Sequence, residues 1–175
     1  MKRFLLATAF AFCGICNVNA QSFGIKAGFN FANLTGDSAT DFNVLTSFHI
    51  GALYEGRIFD HVMFQPELLY SVQGAKVQDE EVKLNYFTVP LLLKIYLNGD
   101  LNIQAGPQFG MLIGESKNFA PYKSETFDFG FTGGIEFFLT EGLFTQARYY
   151  GGTKNVAENS KLKNNVVSLS LGYIF

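Results

Sequence analysis

Eight stretches in which apolar residues alternate with small or polar ones, connections that alternate between short and long, and a last stretch that keeps strand register to Phe175 together predict an all-β fold. The class that satisfies all three is an eight-stranded antiparallel up-and-down transmembrane β-barrel, which joins its strands by tight turns at one end and long loops at the other. The last observation is the most restrictive. Val167, Leu169, Leu171, Tyr173 and Phe175 share one face, and a terminal strand with such a face must be covered. Lipid covers it in a membrane barrel, where the first strand also pairs with the last.

At the other terminus, Lys2-Arg3 precedes an apolar run from Phe4 to Ile15, and Val18-Asn19-Ala20 stands before Gln21. Charge, apolar core and small-residue site in that order predict a removed signal peptide over residues 1–20, leaving an outer-membrane barrel domain over 21–175. The apolar run is shorter than the roughly 20 residues a spanning helix needs. Cys13 and Cys16 both lie in this leader, so the mature chain is expected to lack disulfides and thiol chemistry. Its 155 residues carry 11 basic and 15 acidic side chains, a formal charge of −4, which argues against nucleic acid as a partner. Twenty Phe, 8 Tyr and 18 Gly without Trp suit crowded strands.

In the first strand Phe23, Ile25, Ala27, Phe29 and Phe31 oppose Gly24, Lys26, Gly28 and Asn30. The second sets Phe48, Ile50, Ala52 and Tyr54 against His49, Gly51, Glu55 and Arg57. In the third, Val62, Phe64, Pro66, Leu68 and Tyr70 oppose Gln65, Glu67, Ser71 and Gln73; in the fourth, Phe87, Val89, Leu91, Leu93 and Ile95 oppose Thr88, Lys94 and Tyr96. The fifth places Leu101, Ile103, Ala105, Phe109 and Met111 against Asn102, Gln104, Gly106 and Gln108. The sixth places Phe127, Phe129, Phe131, Ile135 and Phe137 against Asp128, Gly130, Thr132, Gly134 and Glu136. Ala147 and Tyr149 oppose Gln146 and Arg148 in the seventh, and the terminal stretch is the eighth. Pro66 and Pro90 each remove a ladder donor, so a bulge or local irregularity is expected beside them.

Three turns are short: Phe59-Asp60-His61, Asn98-Gly99-Asp100 and Thr140-Glu141-Gly142. Setting Leu97 opposite Leu101 places Lys94 across from Gln104, and setting Leu139 opposite Leu143 places Gly134 across from Arg148. Polar then meets polar, as a two-faced sheet requires. The remaining connections, 34–47, 74–85, 114–126 and 151–165, read as long surface loops, which puts both termini on the periplasmic side.

The polar face decides what lies inside. It carries many glycines, which cover nothing on a solvated sheet but make room in a narrow barrel. It also carries Lys26, Arg57, Lys94 and Arg148 against Glu55, Glu67, Asp128 and Glu136, four of each sign, as a buried interior demands. The Phe face is therefore assigned to lipid. Phe31, Phe48, Tyr70, Phe87, Phe127 and Tyr149 would form one interfacial belt, and Phe23, Tyr173 and Phe175 the other.

On Gln65-Pro-Glu-Leu-Leu-Tyr70-Ser with Gln73-Gly74, Tyr86 through Pro90-Leu-Leu-Leu-Lys94, Ala105-Gly-Pro107 and Ala147-Arg-Tyr149-Tyr, the mature chain resembles the small outer-membrane β-barrel family of Bacteroidetes, the PorT-like or outer-membrane β-barrel domain proteins, with an architecture similar to the OmpA and OmpX barrels. The resemblance implies the outer membrane of a Gram-negative bacterium. It also implies recognition of the closing strand (Leu171, Tyr173, Phe175) by the barrel-assembly machinery, and for one member type a role in type IX secretion.

The eight charges of the polar face read as a salt-bridged plug, since eight strands leave too little room for a channel. The expected function is a structural or interaction barrel that presents surface loops, with a small-solute porin or a secretion accessory as the alternatives. An acyl hydrolase needs a nucleophile system at the outer rim. His49, with Ser47 or Ser71 near it, is the one candidate, and a hydrogen-bonded buried histidine is the plainer reading, so no enzyme, metal or cofactor is expected. Asp79-Glu80-Glu81 reads as a solvated loop tip, and Lys154, Lys161 and Lys163 as charges facing lipopolysaccharide phosphates. Phe119, Pro121 and Tyr122 are the candidate contacts for a protein partner, because exposed aromatics need a reason.

Overall fold

The computed structural model describes residues 21–36, 42–77, 80–116, 125–156 and 162–175. The leader over 1–20 and the loop residues Asp79, Phe119, Pro121, Tyr122 and Lys161 lie outside them. The described residues form β1 (Gln21–Thr35), β2 (Phe42–Asn43), β3 (Leu45–Phe59), β4 (Val62–Val77), β5 (Glu80–Tyr96), β6 (Leu101–Glu115), β7 (Phe127–Phe138), β8 (Leu143–Gly152) and β9 (Lys163–Ile174). Every long strand pairs antiparallel with its neighbours, and β1 pairs with β9 to close an eight-stranded barrel. The two-residue β2 continues β3 upward along β4.

Stepping from partner to partner, Gln21 leads through Gly56, Phe64, Leu93, Ala105, Gly133, Tyr149 and Val167 back to β1 at Phe31, ten residues further on. That stagger tilts the strands by about 40°, and with only eight strands the lumen stays narrow enough for side chains to fill it. The closing pair is the one read from the sequence: Gly24 faces Ile174, and the Phe175 amide donates to the Phe23 carbonyl at 2.8 Å.

Two of the short turns set the register expected of them. Lys94 faces Gln104, and Gly134 faces Arg148. Asn98 Oδ1 holds one turn by accepting from the amides of Asp100 (3.0 Å) and Leu101 (2.8 Å), while Thr140 Oγ1 accepts from Leu143 N at 3.1 Å in another. The third is tighter than expected. Phe59 pairs with Val62, so only Asp60 and His61 turn, and the surplus residue becomes a bulge between Arg57 and Phe59. The second bulge lies between Asn85 and Tyr86. Neither sits at a proline: pairing lapses beside Pro66 and Pro90 but resumes in the same register, because a missing N–H removes one bond without adding a residue.

Facing follows the lipid assignment. Phe29 is 63% exposed and Leu171 53%, while Lys94, Glu136 and Gln65 are fully buried. From Phe87 on β5 to Leu97 just past its end the chain spans about 25 Å of membrane normal at a rise of ~3.3 Å per residue and a tilt of about 40°, the height of a barrel's apolar band. On the outer surface Phe48, Tyr70 and Phe87 touch in series across β3, β4 and β5, at centroid separations of 5.9 and 6.2 Å. Glycines on the inner face admit large neighbours: a Cβ on Gly172 would enter the Phe144 ring, and one on Gly28 would lie 2.9 Å from His49 Cε1.

The long loops are the main correction. β4 runs to Val77 and β5 starts at Glu80, so most of 74–85 is strand. Polarity reverses there. Below Phe87 the outward positions of β5 are apolar and the inward ones are mixed with polar groups. Above it Glu81 and Lys83 face out, while Val82, Leu84 and Tyr86 are buried with Leu34, Ala75 and Val156 in an apolar cluster. That is the arrangement of a protein in water, so the barrel wall continues past the membrane.

Candidate functional site: the lumen

The lumen is filled in three tiers. In the lowest, β4 places Glu67 where Arg148 of β8 grips it with two hydrogen bonds of 2.8 Å. Lys26 of β1 approaches the same carboxylate at 2.8 Å, and Gln65 Nε2 donates to it at 2.6 Å. Lys26 also donates to Gln146 Oε1 (2.9 Å), whose amide donates on to Glu136 Oε2 (2.8 Å). Glu136 accepts from Lys94 Nζ at 2.6 Å, and Lys94 returns to Gln65 Oε1 at 2.9 Å. The path Glu67, Lys26, Gln146, Glu136, Lys94, Gln65 is thus a closed ring of side chains. Asn102 donates to Glu136 at 3.0 Å, Arg148 to Gln104 at 2.8 Å, and Lys94 to Glu55, which also accepts from the Tyr96 hydroxyl at 3.1 Å.

Three cations, Lys26, Lys94 and Arg148, balance three carboxylates, Glu55, Glu67 and Glu136. Two of the eight expected members stand apart. Arg57 is exposed, because the bulge beside it and the strand end leave it at the periplasmic mouth, in a 410 Å³ recess with His61, Met63 and Tyr96. Asp128 is buried but sits near the outer end of β7, too high to join the ring. It is held by Asn164 Nδ2 (2.9 Å) and the Phe129 amide (2.9 Å). Burying five of these six charges has a large desolvation cost, met here by placing a counter-charge and an amide on each of the two central carboxylates. The amides Gln65, Gln104, Gln146 and Asn102 are the members that a search for charges alone overlooks. Their signal was in the sequence: each stands at an inward position, Gln65 and Gln146 two residues from Glu67 and Arg148, Gln104 and Asn102 across from Lys94 and Glu136.

The middle tier centres on His49. Its Nε2 lies 2.9 Å from Ser170 Oγ and its Nδ1 2.8 Å from Asn30 Oδ1. Neither Ser47 nor Ser71 is its direct partner. Ser47 donates to the Val72 carbonyl at 2.6 Å, and Ser71 accepts from Asn30 Nδ2 at 3.0 Å. The serine, histidine and asparagine stand in a hydrolase-like order, but all three are buried, and the adjoining cavity measures about 30 Å³, the share of a single water in the liquid. The apolar cluster above Tyr86 is the third tier. On the outside, Glu81 meets Lys83 at 2.6 Å and Lys76 at 3.5 Å, Lys154 lies 5.2 Å from the centre of the Phe127 ring, and Lys163 opens β9.

A closed antiparallel barrel with a lipid-facing apolar band and an ion-paired interior defines an integral protein of the Gram-negative outer membrane. The chain belongs to the outer membrane protein beta-barrel domain family, whose model matches residues 4–175. Among solved structures it is similar to Neisserial surface protein A (TM-score 0.62, 12% identity, 90% of this chain and 100% of that one). It is also similar to Ail, the attachment invasion locus protein of Yersinia pestis (TM-score 0.56, 12% identity, 88% and 98%). At these identities the likeness is one of fold. No curated protein sequence matches the chain.

Proposed function

We propose that this protein is a closed interaction barrel. Its lumen is a structural plug that does not conduct, its lipid face anchors it, and its activity resides in what it presents above the membrane. The closed ring of Glu67, Lys26, Gln146, Glu136, Lys94 and Gln65 carries the reading, because a solute would have to break several buried charge pairs to pass. A porin reading has no such support. The wall that continues above Phe87 supports presentation, since its upper part is built as a water-facing surface over its own apolar core. Ail, a barrel of similar fold, was also solved with the heparin analogue sucrose octasulfate.

The partners proposed are outer-membrane lipid and lipopolysaccharide around the wall, the barrel-assembly machinery at Leu171, Tyr173 and Phe175 during insertion, and a protein met through Phe119, Pro121 and Tyr122. The PorT-like resemblance makes a secretion complex the second form of that last reading. No catalytic role is proposed, because the 30 Å³ cavity beside His49 and Ser170 admits no acyl ester.

Two measurements test this. In planar bilayers the refolded protein should give no ion conductance, and steady single-channel steps would refute the plug. A photocrosslinker at Tyr122 in intact cells should capture a defined protein; capture of lipopolysaccharide alone would refute a protein partner.

A further inference from the structure

The charge balance of the ring hides a local imbalance. Around Glu67 stand two cations, Lys26 and Arg148, whereas Lys94 stands against two carboxylates, Glu55 and Glu136. The assembly is neutral in sum, with one surplus positive charge in its upper half and one surplus negative charge in its lower half. The 30 Å³ cavity lies against the positive half. Lys26, Arg148, His49, Thr88 and Gln73 line it, and no carboxylate does.

Three polar atoms of this lining are buried without a hydrogen-bond partner: Arg148 Nε, Thr88 Oγ1 and Gln73 Oε1. Arg148 and Thr88 are 5% and 2% exposed, so solvent does not serve them. Arg148 Nε is an obligate donor and Thr88 Oγ1 has a proton to give. Gln73 becomes a third donor when its amide is turned over, which the equivalent shape of the two ends allows. Orphaned buried donors cost free energy, and a guest with acceptor character removes that cost.

We infer that the cavity is a binding site for one small monovalent inorganic anion of the halide class, held by Arg148 Nε, Thr88 Oγ1 and the field of Lys26. A halide fits the volume, accepts from every direction, and cancels the surplus charge that neutral water leaves in place. The site rests on the plug reading in one respect: the anion completes the plug and is not in transit.

The test uses the full refolded barrel. Crystals equilibrated with bromide are expected to show an anomalous scattering peak in the cavity between Arg148 and Thr88. In vesicles the urea midpoint of unfolding is expected to be higher in chloride than in gluconate at equal ionic strength. Thr88→Val, which removes a hydroxyl that has no protein partner, is expected to fold, as judged by heat-dependent gel mobility, and to lose both the peak and the chloride effect. Absence of a peak with equal midpoints in the two salts overturns the site, and so does a peak confined to the outer surface, an adventitious ion only. Conductance recorded on the same preparation separates the two ideas. A silent barrel without bromide ends the site and keeps the plug, whereas a conducting barrel with bromide bound ends the plug and keeps the site.

Discussion

Replacing Lys94 by Met puts the ring to its most direct trial. Lys94 is fully buried and serves Glu136 at 2.6 Å, Gln65 at 2.9 Å and Glu55. The variant keeps the volume and removes the charge, leaving two carboxylates without their cation. Glu55 has a side chain 12% exposed at the periplasmic end and can turn toward water. Glu136 has no exposure and retains only the donors of Asn102 and Gln146. The loss therefore falls on one buried, unpaired carboxylate, a change worth about 3–5 kcal/mol. Adding Glu136→Gln removes that orphan charge, so the double variant should return to within about 1–2 kcal/mol of the parent. Because the chain has no Trp, the natural assay is a urea titration in lipid vesicles read as the ratio of folded to unfolded gel bands. A Lys94→Met protein within about 1 kcal/mol of the parent, or a double variant no better than the single, would refute the coupling.

Gly172→Ala pushes a methyl group against the Phe144 ring and should cost about 1–3 kcal/mol in the same titration; Phe144→Leu in the same chain should recover part of it, and no recovery would mean that the Ile25 carbonyl, 2.8 Å from that Cβ, sets the limit. Leu93→Arg, in the middle of the lipid face of β5, should cost about 2–4 kcal/mol, whereas Asn85→Arg, above the polarity reversal, should stay within about 0.5 kcal/mol. Equal effects would place the membrane boundary elsewhere. Phe175→Ala should refold in vesicles as the parent does, since the 2.8 Å bond to Phe23 uses its backbone amide, but should reach the outer membrane of cells several-fold less. Equal levels in cells, measured in membrane fractions, would remove the terminal ring from recognition.

The membrane-spanning part of this fold was legible because period-two alternation and tight turns are local. Lys94 opposite Gln104 and Gly134 opposite Arg148 need only a turn length and a parity. The strand extensions escaped for a physical reason. At Phe87 the chain changes surroundings, so the apolar parity jumps from inward Val82, Leu84 and Tyr86 to outward Phe87, Val89 and Leu91. A reading that holds one parity sees the upper half as irregular and polar, although Val82, Leu84 and Tyr86 keep their own alternation. Of the lumen, parity found which residues face in, but height along the tilted strands decides which of them meet. Arg57 and Asp128 share the face of Glu67 and sit at opposite ends of it. The pairing of His49 with Ser170, from strands at opposite ends of the chain, depends on barrel closure and has no local sign.

The reversal at Phe87 divides this wall into two regions under different rules of substitution. Below it, each position answers either to hydrocarbon or to a lumen with no spare room. Above it the β4–β5 hairpin beyond Gln73, from Gly74 to Asn85, answers to water, and needs only inward apolar groups to meet Leu34 and Val156. Such a hairpin can be lengthened two residues at a time, or exchanged whole, without moving the ring or the lipid band. The protein is in that sense a fixed mast with a replaceable head, and variation in sequence should gather in the head.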